Sequence, residues 1–375
     1  MLTTFRYSLR SAEAVVSFHR IALAFLLWAV ASSVCAKPAG DPAGELIFQP
    51  GSVSFASSHA STIVELKNGD LLAAWFGGTA EGKPDVAIWS SRREVGTWSA
   101  PVELAREDEV PCWNPVLFHA SDGKLWFYYK FGTSPQTWVA ARRHSEDEGQ
   151  TWSAVEHLPA GLLGPIRAKP LVLKDGTIVA GSSIEANHSW AAWIERSTDG
   201  GKTWRKIGPF VPPAPHVVAA DASGSAASAA DPNATFGIIQ PSVILLGGKH
   251  LRFYARSTPQ IGHVVVADSY DEGVTWSQPR PLDVLNPNSG IDAVALRDGR
   301  VVLIYNNTSS GRTPLNLAVS SDGDHFRMFY TLEDQPGEYS YPAMIQAKSG
   351  DLEITYTWQR KAIRHVHFPL AAVPK

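Results

Sequence analysis

The sequence predicts an all-β chain folded as a six-bladed β-propeller of four-stranded antiparallel blades. Three observations lead there: a hairpin-turn motif recurs six times, a second turn motif recurs between its copies in constant phase, and the repeats run to the C-terminus. The first motif reads Asn68-Gly69-Asp70-Leu71, Asp122-Gly123-Lys124-Leu125, Asp175-Gly176-Thr177-Ile178, Gly247-Gly248-Lys249-His250, Asp298-Gly299-Arg300-Val301 and Ser349-Gly350-Asp351-Leu352. Asn-Gly and Asp-Gly suit two-residue hairpin turns, in which both central residues take positive φ. The turn glycines fall about fifty residues apart, a period that holds four short strands and so one propeller blade. Six turns give six blades. The one longer interval, between Gly176 and Gly248, carries an Ala/Ser/Pro-rich stretch over residues 209–235 that reads as a surface insertion.

The N-terminal segment stands outside this array. Arg6, Arg10 and Arg20 precede an apolar run from Ile21 to Val34 that closes on Val34-Cys35-Ala36, the pattern of a cleaved signal peptide over residues 1–36. That run is shorter than the roughly 20 residues a membrane span requires. The expected mature protein is therefore a single domain over residues 37–375, periplasmic or secreted and free of the membrane. Loss of Cys35 leaves Cys112 alone, which excludes an intrachain disulfide or a cysteine metal cluster. The fold must rest on its core, and 44% hydrophobic residues with 13 Trp supply one. A formal net charge of -3 offers no basic surface for nucleic acid. No cofactor or metal is called for, and a monomer is expected.

The second motif reads Ser145-Glu146-Asp147-Glu148-Gly149-Gln150-Thr151-Trp152, and returns over Ser197 to Trp204 and Ser269 to Trp276. Degenerate copies end at Trp98 and lie around Ser320-Ser321-Asp322-Gly323. Its Ser and Asp can bond the turn's own backbone while the Trp fills the space between sheets, so the motif is a folding device without a catalytic role.

Candidate site residues follow from the repeat frame. Each blade has an innermost strand leading into the Gly turn and a second strand leading back, so the start of one and the end of the other share a face. Stepping back from each turn collects His59, Trp113, Asn114, Arg167, Lys169, Gln240, Asn288, Asp292, Tyr339 and Tyr341; stepping forward collects Lys130, Glu185 and Arg256. The intervening residues, such as Val301-Val302-Leu303-Ile304, are apolar core. One mouth of the central tunnel is thus polar and partly basic, and convergent polar groups in a concave place define a binding site.

The Ser-x-Asp-x-Gly-x-Thr-Trp motif is the Asp box, and through it nearly the whole mature chain resembles the sialidase superfamily. The resemblance implies three arginines that hold a substrate carboxylate, a Tyr nucleophile activated by a Glu, and an Asp that protonates the leaving group. Arg256, in Leu251-Arg252-Phe253-Tyr254-Ala255-Arg256, resembles the second arginine; Arg312, in Gly311-Arg312-Thr313-Pro314, resembles the third. An arginine fork suits a carboxylate because it offers parallel charge-assisted hydrogen bonds. Tyr339, in Glu338-Tyr339-Ser340, lies in the segment that resembles the nucleophile motif. Two positions depart from the family: Ser58-His59-Ala60-Ser61 stands where the first arginine belongs, and Ile239-Gln240-Pro241 where the activating Glu belongs. A Gln takes no proton from a phenol. Glu81 and Asp85 are the two candidates for the acid, with Glu81 favoured.

Three functions fit these residues. The leading one is an exo-acting glycoside hydrolase that recognises a terminal acidic sugar, with Arg256 and Arg312 on the carboxylate. The second is a uronate-specific lyase, such as a rhamnose-glucuronate lyase, in which His59 acts as base or acid. The third is a non-catalytic glycan-binding propeller. All three take an acidic glycan as partner.

Overall fold

The computed structural model describes residues 42–213 and 235–375. The expected leader at 1–36 and most of the insertion at 209–235 lie outside the described residues. Apart from a 3-10 turn at Leu370–Ala372, every regular element among the described residues is a strand. No helix there is long and apolar enough to cross a membrane.

Antiparallel sets of strands follow one another along the chain. Ser57–Glu65, Leu71–Gly78 and Ala87–Glu94 form the first, whose last strand also pairs with Thr97–Trp98 and Val102–Ala105. Cys112–His119, Leu125–Phe131, Val139–Ser145 and Glu156–His157 form the second. Leu171–Val172, Ile178–Ala186, Ser189–Ser197 and Arg205–Phe210 are followed by Phe236–Gly247, His250–Ser257, His263–Ser269 and Arg280–Leu285. These two sets merge into one eight-stranded sheet through a short parallel pairing, Ser189 with Phe236 and Trp190 with Gly237. Asp292–Ala295, Val301–Tyr305, Leu315–Ser320 and Arg327–Glu333 make the next sheet. Tyr339–Gln346, Leu352–Trp358 and Ala362–Phe368 make the last, and the N-terminal strand Ala43–Leu46 completes it by pairing with Ala362–Phe368.

The hairpin turns form where expected but by different geometry. Gly69 N–H donates to Leu66 O and Leu66 N–H to Asp70 O, and the same pair of bonds recurs at Gly123, Gly176, Gly299 and Gly350. Only the glycine of each triplet takes positive φ, from 79° at Gly123 to 103° at Gly350. This is a three-residue loop with glycine in the left-handed position, not the two-residue turn expected from Asn-Gly and Asp-Gly. Asn and Asp earn their place through the side chain instead: Asp122 Oδ1 accepts from Lys124 N–H at 3.0 Å and Asp175 Oδ1 from Thr177 N–H at 2.9 Å.

The Asp boxes fold as their residues dictate. Ser145 Oγ accepts from Gly149 N–H and donates to Asp147, whose carboxylate takes the Thr151 N–H and hydroxyl; Ser197 and Asp199, and Ser269 and Asp271, repeat the pattern. In the degenerate copy His325 stands in for Thr and bonds Asp322 at 2.7 Å. None of these residues reaches the cavity described next. The core lies between neighbouring sheets, where Trp75, Phe76, Phe127, Tyr128 and Tyr254 are fully buried.

Candidate functional site

A cavity of about 180 Å³ opens where the inner strands begin. Its wall draws on every sheet, through strands or the loops between them: Glu81 from the loop before Ala87, Trp113 and Asn114, Pro135 and Trp138, Glu185 and Trp190, Gln240 and Arg256, Arg312 from the loop before Leu315, and Tyr341 with Arg360.

A recurrent backbone device aims these side chains. The inner strands break register between His59 and Thr62, Trp113 and Val116, Ile239 and Ser242, and Ser340 and Ala343. Inside each break one non-glycine residue takes positive φ: Ala60 at 57°, Asn114 at 36°, Gln240 at 56° and Tyr341 at 51°. These are β-bulges, which take a residue out of the ladder and re-aim its side chain. Three of the four are followed by proline, Pro115, Pro241 and Pro342. Proline has no N–H to give to a ladder and is admitted to a sheet at such bulges. Gly181 backs the Gln240 bulge: a Cβ there would sit 1.9 Å from Pro241 O.

Around the bulges runs a network of arginines. Arg256 donates from Nε to Asn288 Oδ1 at 2.8 Å and from Nη1 to the Tyr341 phenol oxygen at 2.7 Å, with Gln240 Oε1 at 3.4 Å. Gln240 Nε2 donates to the same phenol oxygen at 3.3 Å. Arg312 Nη1 and Arg360 Nε both reach Glu338 Oε1, at 2.7 and 2.6 Å, and Arg360 Nη1 pairs with Glu81. Burial works to raise the Glu338 carboxyl, but Arg312 and Arg360 outweigh it and hold it below the usual range. The guanidinium groups of Arg167, Arg256 and Arg312 lie 5.4, 5.7 and 5.6 Å from the Tyr341 ring centre, within cation–π range. The cavity is therefore cationic, with Tyr341 at its floor.

Several expected site residues lie behind this wall with most of their polar atoms engaged, although Arg167 Nε is buried without a partner among the described residues. Arg167 bonds the carbonyls of Ile291 and Pro342, and burial lowers its pKa. Lys169 pairs with Asp292 at 2.9 Å; Asp292 also accepts from Ser242 Oγ and the N–H groups of Ala293 and Met344. Lys130 is fully buried, bonded to Pro165 O, and burial pulls its ammonium down to about 7. Asn288 serves Arg256 and does not line the cavity. Asp85, one candidate acid, instead accepts from Thr79 N–H and Oγ1 at 2.7 and 2.6 Å and closes a loop. Tyr339 is buried among the core residues between sheets, its phenol facing Gln359; the tyrosine that faces the cavity is Tyr341, two positions on. Strand alternation with the bulge explains the difference.

His59 is covered as well. It is 1% exposed, packs against the Tyr341 ring with centres 4.1 Å apart and planes tilted by 51°, and bonds Thr357 Oγ1 through Nδ1 at 2.8 Å, while Nε2 has no partner among the described residues. Burial, then the positive charges of Arg360, Arg312, Arg256 and Arg167, hold its pKa well below the ordinary value. The imidazole is neutral at physiological pH. Stability linked to a depressed His is complete above the unfolded value near 6.5 and is lost as pH falls from there toward the folded value. Thermal melts of the wild type and His59→Asn should show the variant's deficit at pH 7.5 narrowing at pH 5. A constant gap across that range would mean that folding leaves the His59 pKa unshifted, and a gap that widens at pH 5 would mean that the fold favours its charged form.

Arg360, Glu338, Trp138, Trp190 and Pro135 escaped the sequence reading. Arg360 sits in the turn after Leu352–Trp358, two residues beyond the phase that selects Trp358, so a wider window over each outgoing strand would have included it. Trp138 belongs to an irregular connection, and Trp190 stands at the start of the third strand of its set, Ser189–Ser197, neither of which the count from the turn glycines reaches. Among the described residues no group of three or more His, Cys, Asp or Glu side chains is placed to hold a metal ion.

Residues 69–354 match the BNR repeat-like domain, and the chain belongs to that family. No curated protein matches the sequence. Among solved structures the fold is similar to the NanB sialidase of Streptococcus pneumoniae, with a TM-score of 0.68 at 15% identity over 88% of this chain and 71% of that one. It is also similar to the intramolecular trans-sialidase of Ruminococcus gnavus, with a TM-score of 0.63 at 12% identity over 87% and 97%. The Trypanosoma rangeli sialidase gives 0.66 at 14% identity over 89% and 60%.

Proposed function

We propose that the protein is an exported, exo-acting glycoside hydrolase of the sialidase type, which grips a terminal acidic sugar by its carboxylate at the mouth of a six-bladed ring. The observation that carries the reading is the convergence of Arg256, Arg312 and Arg360, from different sheets, on one cavity floored by Tyr341. Arg360 supplies the third guanidinium that His59 does not. Glu338 neutralises only part of this charge, because a single carboxylate oxygen serves both Arg312 and Arg360. The succession of antiparallel sets, and likeness to sialidases at low identity, support the ring. The leader read over residues 1–36 supports export.

In this reading the Tyr341 oxygen faces the anomeric carbon and stabilises the positive charge that develops as the glycosidic bond breaks. Proton delivery to the leaving oxygen falls to a carboxyl on the wall, Glu81 or Glu185. The lyase alternative loses support because its base, His59, is covered by Tyr341.

Incubation with sialosides and glucuronides tests the proposal. Release of a free reducing sugar from an acidic glycoside is expected, without the ultraviolet absorbance of an unsaturated uronate. Tyr341→Phe should lower turnover about 100-fold or more, whereas Tyr339→Phe should cost only about 1 kcal/mol of stability, the loss of one hydrogen bond. Unsaturated product, or full turnover in Tyr341→Phe, would refute it.

A further inference from the structure

We propose that Glu185 is the proton donor to the leaving group, a further catalytic residue that rests on the hydrolase reading above. Three carboxyl groups line the cavity or pair with its arginines, and their partners separate them. Glu81 is ion-paired with Arg360. Glu338 accepts from Arg312 and Arg360 together. Both act as acceptors and position arginines. Glu185 differs in kind.

Glu185 is the penultimate residue of the Ile178–Ala186 strand and pairs across the hairpin with Trp190, and both line the cavity. It is 8% exposed, and among the described residues its carboxyl makes no hydrogen bond or ion pair. A buried carboxylate without a partner is expensive, so such a group takes up a proton. Burial accordingly raises the Glu185 pKa; Arg256 opposes the shift and Glu81 adds to it. Substrate binding reinforces this, because the sugar's carboxylate on Arg256 would cancel the one positive charge that favours ionised Glu185. The site then loads its own acid when it loads its ligand.

The chemistry balances without any further reagent. The bond between the anomeric carbon and the leaving oxygen breaks, its electron pair stays on that oxygen, and the Glu185 proton moves there. Water then adds to the anomeric carbon, and Glu185, now a carboxylate, recovers a proton from it. One carboxyl tuned upward by burial, in a site whose arginines hold Glu338 below the usual range, is how a site separates acid from base.

Leaving-group dependence tests the assignment, using the 4-nitrophenyl glycoside of N-acetylneuraminic acid and sialyllactose, with the corresponding glucuronides as a second pair. A nitrophenolate leaves without help; a sugar alkoxide does not. Glu185→Gln should lower kcat on the sugar aglycone by roughly 100- to 1,000-fold and on the nitrophenyl substrate by less than about tenfold. In the wild type kcat should fall as pH rises through the Glu185 pKa, and that limb should vanish in Glu185→Gln. Glu185→Asp should restore part of both. Glu81→Gln should affect both aglycones alike. Equal losses on the two aglycones in Glu185→Gln, or an aglycone-selective loss in Glu81→Gln instead, would overturn the assignment while the hydrolase reading stands. A wild type inert on all four substrates would overturn both. Unchanged melting temperatures confirm that each variant is folded, as expected for an isosteric change.

Discussion

Arg256→Ala is expected to weaken binding of a carboxylate-bearing sugar by about 2–5 kcal/mol, the cost of truncating one partner of a hydrogen-bonded charge pair. Three features single out this arginine. It is 7% exposed, so its interaction with an anion is little screened. Its fork is already oriented, by Asn288 at Nε and by Tyr341 and Gln240 at Nη1, so little ordering remains to be done when ligand arrives. Its second terminal nitrogen has no partner among the described residues. Arg256→Lys should fail nearly as badly, because a point charge cannot satisfy Asn288, Tyr341 and a carboxylate together. Calorimetric titration with sialyllactose, read beside a melting curve, makes the measurement. An affinity unchanged in Arg256→Ala would remove the carboxylate site from this cavity.

Asp292→Ala should produce the largest loss of stability, about 3–5 kcal/mol, as expected when one member of a buried ion pair is deleted. Asp292 is 1% exposed and accepts four hydrogen bonds, from Ser242 and Met344 on two other strands, from Ala293 on its own and from Lys169 in the segment before Leu171–Val172. Removal leaves the Met344 N–H without its acceptor and takes the carboxylate from Lys169, which keeps only the Ala293 carbonyl at 3.3 Å. At roughly 1–2 °C per kcal/mol for a chain of this size, the melting temperature should fall by roughly 5 °C. Asp292→Asn should cost less, since it keeps the acceptor and loses the charge. A melting temperature within a degree of the wild type in Asp292→Ala would show that neighbouring groups already compensate.

Much of this molecule was legible in its sequence, because repeats report architecture directly. The turn glycines and Asp boxes located the hairpins, and the phase count located the mouth residues Trp113, Asn114, Glu185, Gln240, Arg256 and Tyr341. The count could not say which polar residues face the cavity and which tie sheets together. Arg167, Lys169 and Asp292 share the phase of Gln240 yet spend their polar atoms on carbonyls, amides and each other, a distinction set by contacts far apart in sequence. The choice of Tyr339 over Tyr341 has a sharper lesson. Asn114-Pro115, Gln240-Pro241 and Tyr341-Pro342 are the same bulge in three sheets, and proline after a polar residue at the start of an inner strand marks the side chain that turns inward. That signal was present in the sequence and points to Tyr341.

The pairing of Ala43–Leu46 with Ala362–Phe368 has a consequence for how the chain reaches its native state. The last sheet joins Ala43–Leu46 to Ala362–Phe368, so it cannot be completed until the chain has been synthesised through Phe368. Every earlier sheet can form on local hairpins, but this one requires a contact across some three hundred residues, the kind of long loop closure that slows folding. Until then the outgoing edge of Ala362–Phe368 is unpaired, and an open edge is a template for a neighbouring molecule. Truncation just before Leu46 would leave that edge open permanently, converting a question of activity into one of solubility.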